Sequence, residues 1–271
     1  MTTTLRHPSS ILALLLPMAL AACGGSSSST PDPIVATGTA YQKQLITQRR
    51  VGQAYGPKRE FLQGQLDNCN DVRTSQYKLL PVAPDEAALA GIDDSVADHY
   101  FDTDKTALYV TANDAELSDY LRWAMDGPGT PAVAPDCSVV TRKQSTTAFI
   151  WRDGRLYELN FDNMQGQVQR SDTAVPRALM TEVERATLPV RTVLGEQCHV
   201  VNDPQGPFAA DDACVWDRFP PVLYLDMPWA LTTEAVNSDG IEQKMTTTEV
   251  NGHAGVPPSV FSIDGFTLIE R

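Results

Sequence analysis

The sequence is poor in the residues from which most enzyme sites are made, with only four histidines and five cysteines in 271 residues. No G-x-S-x-G elbow is present, so the usual setting of a serine nucleophile is missing. No C-x-x-C pair occurs, which removes both the common dithiol redox pattern and the common spacing of a zinc site. Positive charge is scarce too: 21 Lys and Arg stand against 34 Asp and Glu, a formal net charge of −13. A chain this acidic lacks the cationic surface that neutralises phosphates, so nucleic acid is a poor partner, and anionic headgroups are repelled. One long apolar run exists, residues 11–20 (ILALLLPMAL). It is too short to cross ~30 Å of hydrocarbon.

That run has a natural place in an export leader. Arg6 and His7 precede it, and the small residues Ala21 and Ala22 follow it, the order of parts a signal peptide requires. Leu20-Ala21-Ala22-Cys23 resembles the lipobox of bacterial lipoproteins. The resemblance implies removal of residues 1–22, lipidation of the Cys23 thiol and acylation of the new amine by a palmitate-type chain. Three acyl chains would anchor the protein permanently, since each buried methylene contributes ~0.8 kcal/mol and one chain alone is marginal. Residues 24–33 (GGSSSSTPDP) read as a Gly/Ser tether stiffened by proline. Residues 23–39 are therefore expected to be anchor and linker, and residues 40–271 a single domain. Gly24 after the cysteine resembles the outer-membrane sorting pattern, which implies the periplasmic face of the outer membrane. Loss of Arg6 with the leader takes the charge from −13 to −14.

Four cysteines follow the anchor: Cys69, Cys137, Cys198 and Cys214. An even number in an exported chain reads as disulfides, because the periplasm is kept oxidising. Three pairings are possible. Cys198–Cys214 and Cys69–Cys137 are favoured, since each closes within its own half of the chain. The shorter would close a loop of ~15 residues, worth ~3 kcal/mol in the chain-entropy model. Zinc is the weaker alternative, with His199 the only nearby imidazole.

The pattern predicts an α+β body built on antiparallel strands. Asp153-Gly154 between strand-like runs at 146–152 and 155–161 marks a hairpin, because both residues tolerate positive φ. A turn near Asn163 leads to a strand at 167–170. One helix is predicted at 113–125, opened by Asn113-x-x-Glu116 and striped with Leu117, Tyr120, Leu121 and Ala124. A second is predicted at 176–188, opened by Pro176 and striped with Leu179, Met180, Val183 and Ala186. A short third helix is expected between residues 81 and 94. Strands are expected at 191–201, 213–216, 222–225, 229–236, 242–250 and 261–270, with connections too short for parallel crossovers.

The closing third carries a resemblance. Leu194-Gly195-Glu196-Gln197-Cys198-His199-Val200 is followed by Cys214-Val215-Trp216, then Thr247-Thr248-Glu249-Val250-Asn251 and Val256-Pro257-Pro258-Ser259-Val260-Phe261-Ser262-Ile263. This resembles the end of the Lol-like superfamily of outer-membrane lipoprotein carriers. The resemblance implies a curved antiparallel sheet, an incomplete barrel closed by a few packed helices around an apolar cavity for acyl chains. Trp151, Tyr157, Phe161 and Trp216 are the candidates to line it, within a wider aromatic set of Trp123, Trp229 and Phe261. A packed core is the plainer reading of the same residues.

Other chemistries have thin support. His99, His199 and His253 read as surface or turn histidines and not as members of a triad. Asp98, Asp102 and Asp104 recur at short spacing but lack the glycine turn of a calcium loop, and Glu116 falls out of register as its closing ligand. No carboxylate pair is singled out for glycoside cleavage. The sequence thus predicts no catalytic residue, no metal and no cofactor. Its expected role is a lipid-anchored, non-enzymatic module that binds a hydrophobic, acyl-type ligand. An envelope scaffold with a filled core is the alternative, and an envelope enzyme comes third.

Overall fold

A computed structural model describes residues 39–102, 104–117, 134–141, 144–170, 186–203, 210–216, 230–236 and 240–271. The leader, Cys23, the tether, Trp123, Trp229 and the strand expected at 222–225 lie outside them, as do Tyr120, Leu121, Ala124 and all of the 176–188 helix before Ala186. The described residues belong to one unit, Pro33–Arg271.

Strand β1 (Ala40–Arg50) is the middle of the sheet. It pairs antiparallel on one side with β2 (Asp94–Phe101) and on the other with β13 (Ile241–Asn251). From β2 the sheet continues through β3 (Thr106–Ala112), β6 (Ser145–Arg152), β7 (Arg155–Asn160) and β8 (Gln165–Arg170). From β13 it continues through β12 (Ala230–Val236), β11 (Ala210–Trp216), β10 (Glu196–Asp203) and β9 (Val190–Val193). The last strand, β14 (Thr267–Glu270), returns to the far edge and pairs parallel with β8. Twelve strands thus run in one open order from β14 to β9. The α+β class is as expected, mostly sheet with few helices, but the sheet is open and uncurled where a curved, incomplete barrel was implied.

The sheet has two faces because alternate residues point opposite ways. On one, Ala97, Leu108, Phe149 and Leu156 form a cluster, and Ala40, Phe101, Cys198, Cys214 and Trp216 form another. On the other, Ala107, Ala148, Ile150, Tyr157, Leu159 and Val168 are covered by residues 256–266. That strap leaves β13, makes a 3₁₀ turn at Pro258–Phe261 and delivers β14 to β8. Tyr109 Oη donates to the Val260 carbonyl at 2.7 Å, and Arg152 Nη1 donates to the Phe261 carbonyl at 2.9 Å.

Beside the sheet sits a small disulfide-bonded cluster. Helix α1 (Pro57–Tyr77) packs Leu62, Leu66 and Cys69 against Leu89 of α2 (Glu86–Leu89) and against Leu117 and Val139. The last two belong to β4 (Ala115–Leu117) and β5 (Val139–Thr141), which pair antiparallel. Cys69 is bonded to Cys137, with Cα atoms 5.8 Å apart across 68 residues of sequence. Cys198 is bonded to Cys214 on neighbouring strands, with Cα atoms 5.3 Å apart. These are the two pairs favoured from chain order.

Several expectations need correction. The helix predicted from Asn113 starts as strand β4: Asn113 bonds the Gly91 carbonyl and Gln144, and Asp114 accepts from Ala115 N, so the Asn-x-x-Glu spacing caps nothing there. The run at 191–201 is a hairpin that turns at Leu194-Gly195, both at positive φ. The run at 261–270 is the end of a 3₁₀ turn followed by a strand in parallel pairing, which the short-connection argument had ruled out. There is no conflict with chain length, since β8 and β14 are separated by residues 171–266 and the strap only carries the chain from β13 to that edge. Asp153 and Gly154 do take positive φ, +54° and +68°, in the β6–β7 hairpin. Helix α1 was missed altogether.

One carboxylate ties α1 to the sheet. Asp93, at the start of β2, accepts backbone N–H bonds from Gly56 and Lys58 at 2.8 Å and from Arg59 at 3.4 Å. It does the work of an N-cap from across the fold, satisfying donors that the helix itself leaves open. A Cβ on Gly56 would lie 2.4 Å from the Gln48 carbonyl oxygen and 2.8 Å from the Asp93 carboxylate. Asp93→Ala should therefore lower the unfolding free energy by about 2 kcal/mol, and Gly56→Ala should also destabilise. Urea midpoints of the two variants check both; an unchanged Asp93→Ala midpoint would mean that the cap contributes nothing.

Candidate functional site

The most developed surface feature is a line of aromatic rings across the strap side of the sheet. Tyr41 and Tyr100 are cross-strand partners, with ring centroids 5.1 Å apart at 38°. Tyr100 meets Tyr109 edge-to-face at 5.9 Å, Tyr109 meets Phe161 at 5.8 Å, and Phe161 meets Phe266 at 5.0 Å. Such contacts add about 0.5–1.5 kcal/mol each beyond area burial. The line forms because odd positions of β1 and β3 and even positions of β2 share this face. It ends against the strap.

At the Tyr41 end a groove opens between the sheet and the start of the strap. It has a volume of about 410 Å³ and is lined by Tyr41, Tyr100, Glu249, Asn251 and residues 254–256. Thr39 Oγ1 donates to the Ala254 carbonyl at its edge. Tyr41 Oη donates to Asp98 Oδ1 at 2.6 Å, and Lys43 Nζ lies 4.0 Å from the same oxygen. In register, Lys43 stands between Glu249 on β13 and Asp98 on β2. Burial pushes the Tyr41 phenol well up, helped by the hydrogen bond to Asp98 and the charges of Asp98 and Glu249. Burial, Asp98 and Glu249 raise Tyr100 as well. The rings therefore stay neutral and sit in a negative field.

The opposite face has a polar centre. Gln42 and Gln44 of β1 are fully buried, and Gln42 Nε2 donates to Thr247 Oγ1 on β13 at 2.6 Å. His99 faces Gln42 across the β1–β2 pair, and its burial drives its pKa well below the ordinary value. His99 is therefore a neutral interior side chain. His199 lies within β10 and His253 in the turn after β13. Asp98 is spent on Tyr41 and Lys43, and Asp102 pairs with Lys105 at 3.4 Å. Among the described residues no group of three His, Cys, Asp or Glu is placed to hold a metal, and no helix is long and apolar enough to cross a membrane.

The four cavity-lining candidates are not brought together. Trp151 pairs with Leu156 and Ile150 with Tyr157, so Trp151 and Tyr157 point to opposite faces. Tyr157 is packed under the strap. Phe161 lies in the aromatic line on that side and is part exposed. Trp216 is buried beyond the other face against Phe101 and the Cys198–Cys214 bond, with Nε1 donating to Glu196 Oε2 at 3.1 Å. The residues that do line a groove, Tyr41, Tyr100, Glu249 and Asn251, were not singled out from sequence. Their signal is weak: it needs the pairing of β1 with two strands distant in the chain. Compared with known proteins, the chain matches no family model and no curated protein.

Two of the perturbed groups, His99 and Tyr41, act at opposite ends of the pH range. His99 stays neutral when folded but takes a proton below about pH 6.5 when unfolded, so its contribution is present above that pH and lost as pH falls. Tyr41 keeps its proton when folded but loses it above about pH 10 when unfolded, so its contribution is lost as pH rises. The unfolding free energy from urea titrations should fall on the acid side of 6.5 by up to about 1.4 kcal/mol per pH unit from this one residue. His99→Gln should flatten that acid limb, and Tyr41→Phe the alkaline one. A His99→Gln profile as steep as wild type between pH 6.5 and 5 would put the acid sensitivity elsewhere.

Proposed function

We propose that this is a lipid-anchored protein of the cell envelope, held by Cys23 on the periplasmic side, which acts without catalysis as an interaction module. The observation that carries the location is the pair of disulfides, Cys69–Cys137 and Cys198–Cys214. Such bonds persist in oxidising compartments and are rare in a reducing cytosol. They agree with the leader, the Leu20-Ala21-Ala22-Cys23 motif and the tether, which point to export on independent grounds.

Packing favours a filled interior over an acyl carrier. Trp216, Phe101, Ala40 and both cysteines of the second disulfide occupy one another's space on one face, and the strap fills the other. Contact then falls to the outer surface, where the aromatic line and the groove lie. Protein interaction sites favour such aromatic residues at their centres.

The carrier reading keeps one specific support. Phe101 of β2 and Trp216 of β11 meet at 6.2 Å although β1, β13 and β12 lie between their strands. Four strand spacings come to ~19 Å on a flat sheet, so the contact supports some local bending within a sheet that is open and uncurled as a whole. Bulges between β1 and β13 and in the β10–β11–β12 region supply the bending. The resemblance to the Lol-like carriers implies a curved sheet, and this local bending is what supports that reading.

Two measurements test the reading. The full-length chain should incorporate labelled palmitate and fractionate with membranes, and Cys23→Ser should lose both; label retained by Cys23→Ser would defeat the anchor. Purified without its own acyl chains as Cys23→Ser, the protein should give a bare mass in native mass spectrometry. Stoichiometric lipid carried through purification would instead favour the carrier reading.

A further inference from the structure

We infer that the groove between Tyr41, Tyr100, Glu249 and the start of the strap is a binding site for a small organic ammonium group of the trimethylammonium type. The chemistry needs ring faces, a nearby carboxylate and room, and all three coincide here. Tyr41 and Tyr100 set two half-buried rings side by side, at 5.1 Å and 38°. Both line one groove of about 410 Å³, which Glu249 and Asn251 also line. A cation over a tyrosine face is drawn by the ring's negative quadrupole, and several faces with a carboxylate make the aromatic cages that hold quaternary ammonium ions.

The charge balance points the same way. Lys43 lies between Asp98 and Glu249 in register and meets Asp98 at 4.0 Å. One cation against two carboxylates leaves the cluster with a net negative charge, and the negative field reaches both phenols. Tyr41 Oη is held by Asp98, which fixes that ring. Gly255 also lines the groove, and a Cβ added there would meet open space at a φ that is not left-handed. The groove is thus lined by two rings and a carboxylate, with room left at Gly255.

The site is independent of the anchor and of any acyl cavity, so its test stands apart from theirs. Choline titrated into the purified full-length protein, followed by calorimetry, should bind about tenfold more tightly than its neutral isostere 3,3-dimethylbutan-1-ol, the ratio that two exposed cation–π contacts supply. Glu249→Gln should weaken choline several-fold, and raised salt should do the same. Tyr100→Phe should retain binding, because the ring and not its hydroxyl makes the contact. Gly255→Leu should abolish binding while leaving the unfolding midpoint near wild type, which guards against variants that fail to fold. A free solute and a lipid headgroup share this chemistry: preference for choline over glycerophosphocholine assigns the former, and the reverse preference the latter. Equal binding of choline and the isostere, or choline affinity unchanged in both Glu249→Gln and Gly255→Leu, overturns the proposal.

Discussion

The fold depends on β1 being hydrogen-bonded on both sides at once. Its ten-residue pairing with β13 joins residues about two hundred positions apart, and its pairing with β2 joins residues about fifty apart. Loop-closure entropy opposes contacts at such separations, so β1 must be specified strongly by its side chains. It is. Gln42 and Gln44 are buried among strand neighbours, and Gln42 reaches Thr247. A slip of one residue would send both amides to the other face and bring Tyr41 and Lys43 inside. A buried polar contact of this kind costs more when broken than it contributes when made, which is how it enforces a single register.

From that central strand the rest follows in two wings. The wing from β2 to β8 is mostly local hairpins, and its apolar rows fall on both faces. In the wing from β13 to β9 a disulfide joins β10 and β11. The strap crosses from one wing to the other and converts an otherwise antiparallel sheet into one with a parallel edge. Its cover over Ile150, Tyr157 and Leu159 does not reach Tyr41, where the groove is found. Fold and groove therefore share one cause.

Much of the local structure was legible. The β6–β7 hairpin followed from Asp153-Gly154, and the late strands β11, β12 and β13 from their alternating patterns. Helix α1 was legible but unread: Gly56-Pro57 opens it, and Leu62, Leu66 and Cys69 stand at helical spacing on one face. Counting Cys69 only as a disulfide partner hid its place in that stripe. The Asn113 spacing misled because Asn113 uses its amide to bridge Gly91 and Gln144, a tertiary use that no spacing rule detects.

The expectations of an export leader and of a body unsuited to nucleic acid, the even cysteines and the strand-rich α+β class all rest on consecutive residues or on sums over the chain. Sequence alone is enough to read them for that reason. Which aromatic residues share a face, and whether they pack or line space, depends on strand neighbours separated by fifty to two hundred residues. Trp151 and Tyr157 illustrate the difference: near in sequence and alike in chemistry, they point to opposite sides of one sheet. Tyr41, Tyr100 and Glu249, far apart in the chain, meet at one groove. Only the pairing of β1 with both its neighbours decides that, because strand register is a long-range choice that no local pattern contains.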